Sequence, residues 1–427
     1  MTMHHDPAAA AHAAPPAEPP RAALYGVYCT GLFSMGLLDF FVLLVPLWAL
    51  SLGMSGTEIG ILVGARSLLP FLLAIHGGAL MDRFGARRVM LVVITLVAVA
   101  APIYPLLHLF PALLALQLIV GVATSYAWIG AQTLIAQVSG GDTTHIGRFS
   151  FCGRIGTFTV PIIGGALWDF AGPWLTFMTV SLWCLCLFVC VWMAPPVSVG
   201  QGTRSDADRP PPASRLVDVL PRARDYMNAF ALLAIPMVGM TIVMNFLRNT
   251  TSAVQGSFYV IYLDEIALSA TAIGILFAVL EAASGLTSLG SAFYLRYVKP
   301  HWLIIILAGA AIALIAITPL LGGIFALLVV AQALRGGAQG LIQPVLFSLQ
   351  AKAVPMNAQG SVIGLRVSVN RLSAVIIPPI MGAVVDVAGL TAGFLVIGGV
   401  LLTILATLAI WVNRSPAFSG NNNKGKP

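Results

Sequence analysis

The chain contains 427 residues, of which 59% are hydrophobic and 9% charged, and its formal net charge is +7. Soluble domains carry about 25% charged residues, so this composition excludes a soluble globular protein. Apolar runs close to the ~20 residues that a helix needs to cross a bilayer recur along almost the whole chain. The sequence therefore predicts an integral membrane protein of the all-α class with many spans.

In chain order, an Ala- and Pro-rich segment comes first and predicts a disordered tail at 1–23. Twelve predicted spans follow, at 24–52, 57–81, 88–107, 111–138, 146–171, 173–194, 229–263, 271–295, 301–320, 322–350, 360–387 and 390–413. One long polar break, rich in Pro, Gly and charge, predicts a flexible linker. The predicted domains are a six-helix bundle at 24–194, the linker at 195–224, a second six-helix bundle at 225–413 and a tail at 414–427.

The distribution of charge predicts the orientation in the membrane. Sixteen lysines and arginines lie in the even-numbered connections and the termini, whereas the odd-numbered connections contain no Lys or Arg but acids such as Asp169, Asp264, Glu265 and Asp386. By the positive-inside rule, both termini are predicted to be cytoplasmic, and we expect a bacterial-type inner membrane. The positive net charge then reflects topology and predicts no nucleic-acid partner.

The two predicted bundles repeat one pattern. The second span opens with "TEIGIL" at 57–62 and the eighth with "TAIGIL" at 271–276. Five residues of the fifth span recur in the eleventh at a constant offset of 217: Gly147, Arg154, Pro161, Asp169 and Gly172 match Gly364, Arg371, Pro378, Asp386 and Gly389. Two related bundles with a site between them at mid-membrane are typical of secondary transporters that work by alternating access.

The connection between spans two and three has a family signature. The segment "GGALMDRFGARRVM" resembles the loop 2–3 signature of the major facilitator superfamily, with matches at Gly78, Leu80, Asp82, Arg83, Gly85, Arg87 and Arg88. The resemblance covers the chain except its tails and linker, and it implies the twelve-helix fold of that superfamily. It also implies a latch between the halves, formed by Gly78, Asp82, Arg83, Gly85, Arg87 and Arg88, in which Arg366 is expected to contact Asp82.

A second signature indicates the direction of transport. The segment "GRFSFCGRIGTFTVPIIGG" resembles the span-five pattern of the proton-driven drug exporters of this superfamily, with matches at Gly147, Gly156, Pro161, Gly164 and Gly165. Val160 replaces one glycine of that pattern. The resemblance implies an antiporter in which this span packs closely and seals the exporter. A third pattern is absent, because Gln117 stands where the family has a span-four arginine linked to proton coupling, and the coupling route therefore stays open.

Ionisable residues at bilayer depth are costly and mark functional candidates. Eight lie on spans that line the cavity in this superfamily: Asp39, Glu281, Arg66, Arg154, Arg248, Arg335, Arg366 and Arg371. Asp39 and Glu281 are predicted to carry protons, with a static Asp39–arginine pair as the alternative. Substrate contacts are predicted for Arg66, Arg335, Arg248, Arg154 and Arg371, and the repeat-related Arg154 and Arg371 suit structural contacts equally well. Six cations against two acids predict an anionic substrate with a carboxylate, hydroxamate or phosphate group.

These observations predict a proton-coupled exporter of a small amphipathic or anionic organic compound, acting as a monomer in the bilayer. A proton-coupled importer of an organic or aromatic acid is the main alternative. An intramembrane enzyme would need a constellation such as HExxH or GxSxG, and neither occurs in the sequence. A sensor that does not transport remains a further alternative. No cofactor or metal site is predicted, and the five cysteines are interpreted as small core residues.

Overall fold

The apolar runs form helices, because a backbone that crosses a bilayer must satisfy its hydrogen bonds internally. The computed structural model describes residues 21–139, 142–194, 231–289, 297–354 and 359–418. Within these ranges the side chains of 21–23, 74–79, 82, 83, 143, 289, 351, 359–361 and 364 fall outside the description. The predicted linker and most of both predicted tails also lie outside the described residues.

The first half of the chain forms six helical segments in its described residues. They are α1 (Arg21–Ser51), α2 (Gly56–Phe84), α3 (Ala86–Ala100, continued by the 3₁₀ turn Ala101–Leu106), α4 (Phe110–Ser139), α5 (143–171) and α6 (173–193). The last two follow each other directly and are separated by a kink at Gly172, whose non-helical backbone with a φ of 73° suits glycine. The helix α1 begins three residues before the predicted span.

The second half also forms six helical segments in its described residues. They are α7 (Pro236–Val254, the π-helical turn Gln255–Tyr259, and Val260–Glu265), α8 (Ala270–Leu289), α9 (Pro300–Ala316), α10 (Phe325–Ala353), α11 (359–388) and α12 (390–414). The helix Gln359–Arg414 kinks at Gly389, the repeat partner of Gly172. The long seventh apolar run does not form one helix, since α7 begins at Pro236, in the first turn where proline is favoured.

Eight helices of the described chain are long and apolar enough to cross a membrane, and two of these extend across the kinks at Gly172 and Gly389. The shorter α9 is also apolar. The chain is therefore a multi-pass membrane protein.

The two halves meet mainly along two helix pairs. Within the first half, α1 packs mainly on α5 and α6, and α2 packs on α4; within the second half, α8 packs on α10 and α7 on α11. Between the halves, α2 packs on α11 and α5 on α8. We call the end with the turns α1–α2, α3–α4, α5–α6, α7–α8, α9–α10 and α11–α12 the acidic end, and the opposite end the basic end.

Candidate functional site

Asp39 of α1 lies beside Arg66 of α2. The Arg66 Nη1 donates a hydrogen bond of 2.9 Å to the carbonyl of Leu38, the residue that precedes Asp39 in α1. The Asp39 Oδ2 is buried and has no hydrogen-bond partner among the described residues. The charged groups that act on this carboxylate are Arg66 of the first half and Glu281 of the second half.

Arg66 is positioned by the contact between α2 and α4. Gly121 of α4 lies against the Arg66 carbonyl, where any Cβ would overlap it. Small residues at such a crossing let two helix backbones approach closely. One turn earlier, the buried Gln117 Oε1 accepts a 2.6 Å hydrogen bond from the Tyr104 hydroxyl, and Tyr104 is in electrostatic range of Arg66. Gln117, which replaces the arginine of the family pattern, therefore lies close to an arginine that comes from α2.

Glu281 of α8 has cationic neighbours from both halves. Arg154 of α5 and Arg248 of α7 are both in its electrostatic range. Within the described ranges the Arg248 Nε is buried without a hydrogen-bond partner, and Arg248 has Arg366 as a further charged neighbour. Glu281 thus has one negative charge, whereas its neighbours Arg154 and Arg248 together carry two positive charges.

The two arginines of α11 have different surroundings. Arg371 is in electrostatic range of Arg66 across the boundary between the halves. The Arg366 guanidinium lies over the Phe347 ring of α10, 4.0 Å from its centroid, a cation–π distance. Arg371 therefore belongs to the group around Asp39, whereas Arg366 contacts its own half.

Arg335 of α10 forms a second, separate centre. It is 1% exposed, and its Nη1 and Nη2 donate to the Gln332 Oε1 at 2.9 Å and the Gln255 Oε1 at 3.0 Å. In the part of the chain that the structure describes, the Arg335 Nε and the Gln339 amide nitrogen are buried without partners. The titratable neighbour in its electrostatic range is Tyr259. A buried cation with spare donors and neutral partners favours binding of an anion.

The π-helical turn in α7 supplies part of this centre. Gln255 and Tyr259 are its first and last residues, and both side chains are buried. Because a π turn inserts one extra residue into a helix, it shifts the register of the side chains that follow; such turns are frequent at functional sites. The sequence pattern gave no sign of this turn, so Gln255 was not predicted.

An amide cluster between α7 and α11 was also missed. Asn249 Nδ2 donates to the Asn370 Oδ1 at 2.7 Å, and Asn245 Nδ2 donates to the same oxygen. Asn245 and Asn249 are four residues apart on an apolar helix, which is the signal that could have identified them. In the described residues, no trio of His, Cys, Asp or Glu is arranged to hold a metal ion.

The predicted latch is described only in part. The side chains of Gly78, Asp82 and Arg83 lie outside the described residues, so the expected contact of Asp82 with Arg366 stays a prediction. Gly85 joins α2 to α3 with a φ of 84°. Arg87 Nη2 donates to the Trp192 carbonyl at 2.6 Å, and its guanidinium lies 5.3 Å from the centroid of the Trp192 ring. Arg87 therefore binds the end of α6 in its own half, and Arg88 is exposed.

The end of the exporter-type motif packs between the halves. Gly165 of α5 lies against the Ala270 carbonyl of α8, and Gly274 of α8 lies against the Pro161 carbonyl of α5. A side chain at either glycine would overlap the facing backbone. Pro161 and Gly165 thus occupy the interface that joins the halves.

The rest of the motif lies elsewhere. Gly156 packs against the Leu32 backbone of α1, within the first half. Gly164 leaves only ordinary contact distances to its neighbours, and no described atom lies within contact distance of a Cβ at Gly147. Close packing is therefore present at Gly156 and Gly165, and the packing predicted for Gly147 is not seen in this structure.

One known protein family has a sequence profile that matches almost the whole chain. The sequence profile of the Major Facilitator Superfamily matches residues 27–251 and 241–427. The quinolone resistance protein NorA of Staphylococcus aureus (strain MRSA252) is 28% identical over 123 residues, which are 28% of this chain and 32% of that protein. The chain thus spans about a third of the length of the curated relatives it matches.

Solved structures resemble the chain over nearly its whole length. The nucleoside transporter NupG has a TM-score of 0.74 at 14% identity and covers 92% of this chain and 100% of its own. The human organic anion transporter MFSD10 has a TM-score of 0.55 at 20% identity, with coverage of 92% and 100%. These likenesses show the fold. Since the family profile matches both halves, the chain belongs to the Major Facilitator Superfamily.

Proposed function

We propose that the chain is a proton-coupled secondary transporter that exports a small anionic or amphipathic organic compound by alternating access. The superfamily consists of membrane transporters and not of enzymes, which supports the transporter class. We further propose that it works as a monomer in a bacterial-type inner membrane, with its basic end and both termini in the cytoplasm.

One observation carries the proposal: the Asp39 Oδ2 is buried with no hydrogen-bond partner among the described residues, and Glu281 of the other half is a charged neighbour of this carboxylate. Two carboxylates in a region of low dielectric constant repel each other, and binding of a proton relieves that repulsion. When the halves rock, Glu281 and Asp39 change their separation, so the proton affinity of Asp39 changes with conformation. A carboxylate that responds in this way couples proton movement to the transport cycle.

The Arg335 centre supports an anionic group on the substrate. Its guanidinium is bound by neutral amides, and among the described residues two buried donors, the Arg335 Nε and the Gln339 amide nitrogen, have no partner. A carboxylate or phosphate would satisfy these donors and compensate the buried charge. Arg66 and Arg371, which are neighbours across the halves, are the second group of substrate candidates.

Two observations favour export. The Pro161–Gly165 part of the exporter-type motif packs between the halves. In addition, the curated relative that matches 123 residues is a quinolone resistance protein. Together they make export from the cytoplasm the preferred direction.

Import of an organic or aromatic acid is the second candidate function, because Arg66 has the acid Asp39 as a charged neighbour. Protonation of Asp39 removes the acid that faces Arg66, and Arg66 is then free to bind an anion. Proton and anion would thus favour each other's binding, and such positive coupling suits a carrier that moves both in the same direction. The two candidates use the same residues and differ in the direction of substrate flow.

Membrane vesicles of both orientations separate these candidates. Labelled ciprofloxacin, a quinolone, and labelled benzoate are offered to inside-out vesicles with an acidic lumen and to right-side-out vesicles in an acidic medium. An exporter accumulates its compound in inside-out vesicles and releases protons from their lumen. An importer accumulates it in right-side-out vesicles.

Asp39→Asn is the test variant, and Asp264→Asn, an exposed acid at the acidic end, is the matched control. We expect Asp39→Asn to lose accumulation driven by the proton gradient and the control to keep it. Equal accumulation by vesicles with and without the protein, in both orientations, would contradict the proposed substrate classes. Accumulation that ignores the proton gradient would contradict proton coupling.

A further inference from the structure

Asp386 of α11 binds the first residues of a helix in the other half. At the acidic end, its Oδ1 accepts a 2.7 Å hydrogen bond from the Gly56 N–H, and its Oδ2 accepts a 2.9 Å bond from the Thr57 N–H. Gly56 and Thr57 open α2, where backbone N–H groups have no partner inside the helix. The carboxylate therefore meets free donors and the positive end of the helix dipole.

Asp169 of α5 makes the same contact with α8. Its Oδ1 accepts a 2.9 Å hydrogen bond from the Ala270 N–H, and its Oδ2 accepts bonds from the Thr271 N–H at 2.7 Å and the Thr271 hydroxyl at 2.5 Å. We call each arrangement a clasp. The first clasp is Asp386 with the start of α2, and the second is Asp169 with the start of α8.

The two clasps are related by the duplication. Asp169 and Asp386 are 217 positions apart and lie on equivalent helices of the two halves. Beside each clasp the backbones touch, since Gly382 lies against the Gly56 carbonyl and Gly165 against the Ala270 carbonyl. Each clasp therefore joins one half to the other at a point where the helices cannot approach more closely.

We infer that the two clasps hold the halves together at the acidic end and are both broken each time that end opens. The inference rests on the alternating access of the proposed function. Asp169 and Asp386 are then positioning residues for transport: they set the balance between conformations and contact no substrate. Each carboxylate stabilises the closed arrangement because it lies at the positive N-terminus of a helix. Opening of the acidic end separates the carboxylate from that N-terminus.

The chain contains a matched control for this inference. Asp142 caps α5 by accepting N–H bonds from Thr144 at 2.6 Å and His145 at 3.3 Å. These backbone bonds, the Thr144 bond first, hold the pKa of Asp142 below its usual value. The chemistry is that of a clasp, but donor and acceptor belong to the same half. Removal of Asp142 should therefore leave the balance between conformations unchanged.

Distances between spin labels measure this balance without any substrate. Leu109 in the α3–α4 turn and Ile324 in the α9–α10 turn are 72% and 56% exposed and report on the acidic end. Arg148 and Lys299, both exposed, report on the basic end. Each pair is replaced by cysteine in a full-length chain whose five native cysteines are alanine. Double electron–electron resonance is then recorded in lipid nanodiscs.

The clasp variants are Asp169→Ala, Asp386→Ala, the double variant and the corresponding Asn variants. Loss of one cap should raise the ratio of open to closed acidic ends about fivefold. The double variant should raise it roughly 25-fold, since both clasps oppose one movement. Asn still accepts N–H bonds at a helix start, so Asn variants should shift the ratio less than Ala variants. The basic-end pair should report shorter distances as the acidic-end pair reports longer ones.

An unchanged distance distribution in the double Ala variant would overturn the inference, as would an equal shift in Asp142→Ala. Thermal unfolding shows whether each variant is folded, and if the Ala variants do not fold, the Asn variants provide the same comparison with a smaller expected shift. The distance measurement does not depend on transport. Shifted distances without any compound movement would therefore contradict the proposed function and leave the clasps in place.

Discussion

The helices α4 and α10 have the same backbone contacts in the two halves. Gly121 of α4 lies against the Arg66 carbonyl of α2, and Gly336 of α10 lies against the Leu280 carbonyl of α8. The two glycines are 215 positions apart, close to the offset of the other repeated residues. The duplication has therefore kept the close approach of the backbones in both halves.

The side chains beside these glycines differ. Gln117 and Gln332 each precede their glycine by four residues, and each carbonyl oxygen accepts one hydrogen bond. In the first half the donor is the Tyr104 hydroxyl, whereas in the second it is the Arg335 guanidinium. The duplicated glutamine–glycine pair thus lies next to a neutral phenol in the first half and next to a buried cation in the second.

This difference suggests a division of labour between the halves. In the first half, Arg66 faces the acid Asp39. In the second half, Arg335 has neutral hydrogen-bond partners and spare donors around it. We therefore assign proton coupling mainly to the first half and anion binding mainly to the second. The following changes test this assignment, in order of decreasing expected effect.

Arg335→Gln should have the largest effect on substrate affinity. Glutamine keeps hydrogen-bonding capacity but removes the charge, and loss of a buried charged partner costs about 2–5 kcal/mol of binding free energy. The affinity for an anionic compound should therefore fall roughly 30-fold or more. Binding of the labelled compound to protein in nanodiscs measures this change. Unchanged affinity in a folded variant would contradict anion binding by the second half.

Gly121→Val and Gly336→Val should both destabilise the fold. A Cβ at either position would overlap a facing carbonyl, and overpacking of this kind costs about 1–3 kcal/mol. Because the contacts are duplicated, the two losses should be similar. Thermal unfolding in detergent measures them, with Gly399→Val, where a side chain meets open space, as the control. A large loss of thermal stability at only one of the two glycines would contradict the equivalence of the two helix contacts.

Tyr104→Phe should have the smallest effect. It removes the hydrogen bond to Gln117, which costs about 1 kcal/mol of stability, and leaves every charged group in place. Thermal unfolding should detect the loss, while gradient-driven transport should remain at the wild-type rate. Tyr25→Phe, at an exposed ring, is the control. A loss of transport in Tyr104→Phe would assign the phenol a role in coupling and weaken the comparison between the halves.

Much of the fold was predictable because it depends on local sequence. Apolar runs of bilayer length predict the helices, and the residues repeated at an offset of 217, Gly172 and Gly389 among them, predict the duplication. The signature segments predict the family. The family assignment is confirmed. The latch side chains and the roles of the charged residues stay predictions.

The site was less predictable because it depends on which side chains meet. Asp169 and Asp386 were recognised as repeat partners, but their helix-start contacts exist only where the halves dock. Gln255 reaches Arg335 from a π-helical turn that a regular period does not predict. Gln117 drew attention only as a departure from a family pattern.

The central claim is that Asp39 couples proton movement to substrate movement. Counterflow in proteoliposomes exchanges labelled for unlabelled compound without net proton movement, whereas accumulation against a gradient requires coupling. For Asp39→Asn we predict that counterflow persists and that accumulation driven by a pH gradient disappears. Gradient-driven accumulation at the wild-type level, or loss of counterflow together with accumulation, would contradict the claim.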